Sequence, residues 1–145
     1  MTGETNLSIL LRAMQPGLHA DEFIFVTIAP EEFQPPNPHP LMRFEEAEGT
    51  TLILRRAEAE RAGLAATVPC RMITLDVHSS LEAVGFLTAI TTRLSAAGIG
   101  VNPVSAFFHD HLFIATERAD EAFALLQGLR ARPAAPGRNA PARSS

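Results

Sequence analysis

Apolar positions recur along this chain with two different periods, and the changes of period mark its elements. In residues 6–14, Leu7, Leu10, Leu11 and Met14 fall at helical spacing, and Pro16-Gly17 predicts where that helix ends. Residues 23–28 (FIFVTI) form a continuous apolar and β-branched run, the pattern of a buried strand. Residues 29–40 hold Pro35, Pro36, Pro38 and Pro40 and predict an extended loop. Residues 41–46 and 50–55 read as a hairpin around Glu48-Gly49. Residues 56–62 read as a short helix closed by Gly63 in a left-handed C-cap.

The second half repeats strand and helix patterns more strongly. Residues 70–77 alternate Ile73, Leu75 and Val77 onto one face and Met72, Thr74, Asp76 and His78 onto the other. A polar loop, His78-Ser79-Ser80, leads into a predicted helix over residues 81–97, with Ala83, Phe86, Leu87, Ile90, Leu94 and Ala97 as its apolar stripe. A strand over 99–106, a tight turn at His109-Asp110, a strand over 112–116 and a helix over 117–129 follow. The last helix carries Ala119, Ala122, Phe123, Leu126 and Leu129 on one side.

The order βαββα is most of a ferredoxin-like unit, whose four strands are arranged 4-1-3-2 with both helices on one face. Only three strands are present in this half. The fourth must come from the N-terminal half, or the two sheets join edge to edge, and neither half is expected to be stable alone. Pro103 cannot donate to a ladder, which suits strand 2, the edge strand of that order. The fold class is therefore α+β: two intertwined ferredoxin-like units with antiparallel sheets and helices on one face. Their expected extents are 1–65 and 66–130, with 131–145 as a disordered tail rich in Pro, Ala, Arg and Ser.

Composition narrows the function classes. At 145 residues and 46% apolar, the chain can bury one core. A net charge of -4 disfavours nonspecific binding to nucleic acid or an anionic membrane. All basic residues are Arg, and the absence of Lys removes Schiff-base and P-loop chemistry. The Ala and Arg bias fits a GC-rich bacterial genome. A single cysteine, Cys70, excludes an internal disulfide and a multi-cysteine zinc site, and its apolar strand makes it a small buried hydrophobe. No secretory leader or membrane-length apolar run is visible, so a cytoplasmic location is expected.

Three groups of residues could carry chemistry. Residues 78–85 feed a strand end into a helix start, where unpaired N–H groups and the positive end of the helix dipole attract a carboxylate. Gly85 permits close approach, while Ser79 and Glu82 also fit a capping box that merely closes the helix. His109-Asp110-His111 invites a metal reading, but no carboxylate or cysteine pattern completes a shell and a turn breaks the alternation. Asp110 is either a turn former or a carboxylate for a ligand cation. A triad of Ser79, His78 and Asp110 or Asp76 lacks any nucleophile elbow. Arg71 is expected to be solvated or to pack over the outer sheet face.

Several stretches together resemble the ACT domain: residues 71–75 and 78–86, the Ala96-Ala97-Gly98-Ile99-Gly100-Val101-Asn102 pattern, and His109-Asp110-His111 through Ile114. With Gly3 to Leu7 and Glu48 to Leu52, they are similar to small bacterial proteins holding two ACT-like units in one short chain. They are also similar to half of the animal cytosolic arginine sensors. The resemblance implies a non-enzymatic, cytoplasmic, homodimeric regulatory protein that binds an amino acid between ACT units and needs no cofactor or metal. It carries a loop-to-helix glycine onto Gly85, with neighbours Val84 and Phe86, and a sheet-hairpin aspartate onto Asp110. Where the arginine sensor has an acidic residue two places before the glycine, this chain has Ala83, and the nearest carboxylate is Glu82. The identity of the amino acid is thus left open. The candidate ligand-binding set is His78, Ser79, Ser80, Glu82, Ala83, Val84, Gly85, Phe86, Asn102 and Asp110. The alternatives are an interaction module with a degenerate pocket, and a small enzyme using His78, Asp110 and His111.

Overall fold

A computed structural model describes residues 6–29, 39–64, 67–77 and 85–131. Helix α1 (Leu7–Ala13) begins where the Asn6 side chain accepts the Ile9 N–H at 3.2 Å, which satisfies one of the unpaired donors of its first turn. Leu10 and Met14 are fully buried, as their spacing predicts. Pro16-Gly17 does end the helix, but it does not start a loop. Strand β1 (Gln15–Ile28) begins at once and is far longer than the apolar run at 23–28. Residues 15–18 and 22 pair with β4 alone, and a strand with a ladder on one side only tolerates a proline nitrogen.

Strands β2 (Met42–Glu45) and β3 (Thr50–Arg55) form the expected hairpin, closed by the Glu46 N–H to Gly49 C=O bond at 2.9 Å. Helix α2 (Arg56–Arg61) ends as predicted. Gly63 adopts φ 72°, and the Leu64 N–H reaches back to the Ala59 carbonyl at 3.0 Å. Strand β4 (Cys70–Asp76), helix α3 (Phe86–Ala96), strand β5 (Asn102–Ser105), strand β6 (Asp110–Ala115) and helix α4 (Thr116–Ala131) complete the chain.

All six strands join one antiparallel sheet, ordered β2-β3-β1-β4-β6-β5. The order β1-β4-β6-β5 is the 4-1-3-2 arrangement of the C-terminal unit, with β1 as its fourth strand. The order β2-β3-β1-β4 is the same arrangement for the N-terminal unit, with β4 as its fourth strand. Each unit therefore lends the other a strand, and the lending strand is central to its own unit. The two possibilities left open by the sequence are both realised: a strand is donated, and the sheets are continuous. β5 with Pro103 is the edge strand, as expected.

β1 serves both units because it bends. It pairs with β4 through residues 15–18 and again at 22–23, with a register shift between Leu18 and Glu22, and then with β3 through residues 23–28. The bulge turns residues 19–21 out of the ladder and increases local twist. Arg71 fills this break. Its Nε donates to the His19 carbonyl at 2.9 Å, and its guanidinium lies 3.6 Å from Asp120 on α4. This corrects the expectation that Arg71 is solvated or covers the outer sheet face. It pairs with Ile114, so it points to the helix side, and its side chain is only 21% exposed.

The helix side of the sheet carries two apolar clusters. One gathers Leu10, Met14, Ile73, Leu75, Phe86, Ile90, Leu94, Leu112, Ile114 and Leu126 beneath α1, α3 and α4. The other gathers Ile24, Val26, Ile28, Leu52, Leu54 and Ala59 beneath α2. Leu87, Phe123 and Leu129 pack at the margin of the first cluster rather than inside it. Phe23, Ile53, Cys70, Met72 and Phe113 form a third cluster on the opposite face.

The predicted helix over 81–97 is corrected at its start. Gly85 has φ 91°, a left-handed conformation that a right-handed helix cannot pass through, so α3 begins at Phe86. The capping-box residues Ser79 and Glu82 lie outside the described residues, and the N-cap of α3 is Gly85. Ile99 is buried in the core ahead of β5 instead of opening the strand.

Because α1 and β1 complete the C-terminal unit, a fragment of residues 66–131 should not fold. It would lose Leu10 and Met14, each worth about 1.5–3 kcal/mol of burial, and one whole ladder of β4, out of a typical total of about 5–15 kcal/mol. Circular dichroism with urea denaturation should show a cooperative transition for the full chain and none for the fragment.

Candidate functional site

Strand β4 ends at Asp76, Val77 follows it, and the chain returns to the described structure at Gly85. His78, Ser79, Ser80, Glu82, Ala83 and Val84 lie outside the described residues. Gly85 and Phe86 are described, and they differ in role. The Phe86 side chain is 3% exposed within the core, so only its backbone can face a ligand. Gly85 accepts the Ala89 N–H at 2.8 Å through its carbonyl and has no side chain to cap the turn that follows. The first-turn N–H groups of α3 thus have no acceptor from their N-cap residue, and the helix dipole makes this end electropositive. A Cβ added at Gly85 would meet only Leu7 Cδ2, at 3.9 Å. Glycine is needed there for its left-handed backbone, which costs other residues about 1–2 kcal/mol, and not for space.

Asp110 is not in a turn. The turn between β5 and β6 is closed by the Ala106 N–H to His109 C=O bond at 3.0 Å, and Phe107 and Phe108 form its tip. Asp110 is the first residue of β6, opposite Leu75 on one side and Ser105 on the other. Cross-strand partners share a face, and Leu75 lies in the core beneath the helices. Asp110 therefore stands on the helix side at the end of the sheet where β4 runs out, half-buried. A carboxylate and the start of a helix lie on the same side of the sheet. Asn102 does not join them. It pairs with Phe113 at the other end of β5 and is exposed.

His109 and His111 flank Asp110 and face the other way. His109 Nε2 lies 3.2 Å from Asp76 Oδ1, and His111 Nδ1 lies 3.0 Å from Thr74 Oγ1. His19, carried out of the ladder by the β1 bulge, places Nε2 2.8 Å from the same hydroxyl. The two histidines of the H-x-H motif do share a face, contrary to the expected break in alternation. Their rings are perpendicular with centroids 6.3 Å apart, and each has its own partner. Among the described residues, no group of three or more His, Cys, Asp or Glu could hold a metal ion. Asp76 and Asp110, the alternative acids of the triad reading, stand on opposite faces of the sheet, and its Ser79 and His78 lie outside the described residues. Burial pushes the Cys70 thiol pKa up, in keeping with an inert core cysteine.

The alternation of Thr74 and Asp76 made their face readable from the sequence. His19 carried no such signal, because its segment lacks a strand pattern and reaches Thr74 only through the bulge. The alternation of Arg71 with Ile73 and Leu75 placed it on the helix side, but its partner, the His19 carbonyl, lies in the β1 bulge, which no local pattern signals.

Models of the ACT domain match residues 2–71 and 67–128 of this chain. The overlap falls at the start of β4, the strand that both units use. Among solved structures, a Vibrio cholerae protein of unknown function, described as a possible transport protein, is 35% identical with a TM-score of 0.76. That match covers 86% of this chain and 95% of the other. An Agrobacterium tumefaciens protein aligns with a TM-score of 0.68 at 14% identity, over 81% of this chain and 89% of its own. The regulatory subunit of aspartate kinase from Thermus flavus aligns with a TM-score of 0.61 at 10% identity, over 79% and 95%. No curated protein matches the sequence.

Burial, and secondarily the charges of His109 and His19, lower the pKa of His111 from 6.5. Below that value the unfolded chain binds more protons than the folded one, so stability rises with pH in this window. The contribution is complete above pH 6.5 and is lost as pH falls through the depressed folded value. His111→Gln should therefore reduce the drop in Tm between about pH 7.5 and about pH 5 relative to wild type. An unchanged drop would place the acid sensitivity elsewhere.

Proposed function

This chain belongs to the ACT-domain family, and we propose that it is a non-catalytic sensor that binds a free amino acid at the start of α3. ACT domains are typically regulatory ligand-binding modules. One observation carries the more specific reading: the left-handed Gly85 opens an electropositive helix end on the same side of the sheet as Asp110. An α-carboxylate is suited to the N–H groups that follow Gly85, and an ammonium or cationic side chain to the Asp110 carboxylate. A zwitterion offers both charges in one small molecule. His78, Ser79, Ser80, Glu82, Ala83 and Val84, in the segment that leads into Gly85, are proposed to complete the site. Asn102 is not proposed, since β5 holds it at the far end of the strand.

We further propose a cytoplasmic homodimer. Among the described residues, β2 and β5 are the edge strands of the sheet, and strand edges favour pairing with another chain unless they are covered.

A thermal-shift screen of the twenty amino acids should give a rise in Tm for at least one, because a ligand that binds only the folded state stabilises it. For that ligand, Asp110→Asn should weaken binding in calorimetry by about 1.5–3 kcal/mol, the scale of a charged hydrogen bond. Gly85→Ala should lower both affinity and stability through its left-handed backbone. Unchanged affinity in both variants would place the site elsewhere. No shift with any amino acid at millimolar concentration would favour an interaction module with a degenerate pocket. Light scattering should report twice the 15.6 kDa of one chain.

A further inference from the structure

The two edge strands lie at opposite ends of the sheet order, yet residues beside both line one cavity. Leu41 and Met42 at β2, and Val104 and Ala106 at β5, form the walls of a space of about 210 Å³. In a flat sheet, the first and sixth strands would stand roughly 24 Å apart, at ~4.8 Å per spacing. The sheet therefore curls, on the face away from the helices, until its rims flank one pocket. Ile53, Met72 and Phe113 form the floor, at 0%, 7% and 2% exposure.

Among the described residues, the lining contains no Asp, Glu or Arg, and its one side chain with a strong hydrogen-bonding group is His111. Thr74 has a single hydroxyl proton and stands between two imidazole nitrogens, His111 Nδ1 and His19 Nε2. It can donate to one and must accept from the other. His111 is thereby held through Nδ1, and its Nε2 has no hydrogen-bond partner among the described residues. An apolar cavity of roughly 150 Å³ suffices for benzene, so this one has room for a fused second ring.

We propose that the concave face is a second ligand site, which takes an uncharged aromatic molecule of one or two rings with a single hydrogen-bonding group held by His111. It stands on the opposite face of the sheet from Gly85 and Asp110, and it does not rest on the amino-acid reading. Concavity argues for a small molecule over a second copy of the chain. A flat protein surface laid across the rims would not reach Ile53 or Phe113 below them.

Indole is a suitable probe. The chain has no Trp and no Tyr, so indole emission can be followed without a protein background. Titrating the protein into indole should give a saturable blue shift, as the ring leaves water for an apolar cavity. Ala106→Phe, at an exposed rim position, should narrow the cavity and reduce affinity at least about tenfold. Val104→Phe provides the same test from within β5, and circular dichroism verifies that each variant folds. His111→Phe should weaken indole about two- to tenfold, one hydrogen bond's worth. Indene, which has the same rings without the N–H, competes with indole and should lose nothing in that variant. The proposal fails if indole shows no shift up to its solubility limit, or if folded Ala106→Phe and Val104→Phe bind it like wild type. An equal loss for indene and indole in His111→Phe overturns the role given to His111. If indole does not bind and Ala106→Phe changes the oligomeric state, the face is an interface between copies and the ligand site is excluded.

Discussion

Strand β1 must satisfy two sheets at once, and the rest of the molecule follows from how it does so. Its first part completes the C-terminal unit against β4, and its last part is the inner strand of the N-terminal unit against β3. A straight strand could pair along its whole length with both neighbours. The bulge between Leu18 and Glu22 instead turns the strand from one partnership to the other. Arg71 stabilises that turn by donating to the carbonyl the bulge frees. This is a long-range contact, because Arg71 belongs to β4, the reciprocal shared strand. The two units therefore form one cooperative body, and the buried residues of α1 belong to the core of the unit that follows later in sequence.

The shared strands also divide the chemistry between two faces. On the helix side, the end of β4 delivers the chain to Gly85 and the start of α3, with Asp110 on the neighbouring strand. On the other side, the alternate residues of the same strands, Thr74, Asp76, His109 and His111, build a polar patch at the margin of an apolar floor. A one-residue step along β6, from Asp110 to His111, passes from the helix side of the sheet to the face that carries the apolar floor. Strand alternation is enough to produce this separation.

Much of the architecture was legible in the residues. Periodicity located both helices of the C-terminal unit, the hairpin around Gly49 and the Gly63 cap, and Pro103 marked an edge strand. These features are local: each depends on a few neighbouring side chains and on backbone preferences at proline and glycine. The departures share one cause. Residues 15–22 (QPGLHADE) contain no strand pattern, and they are extended because β4 offers them a ladder. Asp110 looks like a turn former, yet the turn closes at His109 and β6 starts one residue later. The spacing of Ser79 and Glu82 is a local signal for a helix start near residue 81, whereas α3 has the left-handed Gly85 as its N-cap.

For the candidate site, the sequence by itself determined the chemical types: a glycine before a helix, an aspartate near a hairpin, and histidines alternating with it. Residue type, spacing and strand period are all encoded within a few positions. Tertiary structure alone decided which of them stand together. It put Asp110 and Gly85 on one side of the sheet, left Asn102 at the other end of β5, and brought His19 to Thr74 across more than fifty residues of chain. It also created the cavity, since the curl that brings β2 and β5 to one pocket is the summed twist of six strands and belongs to no single segment.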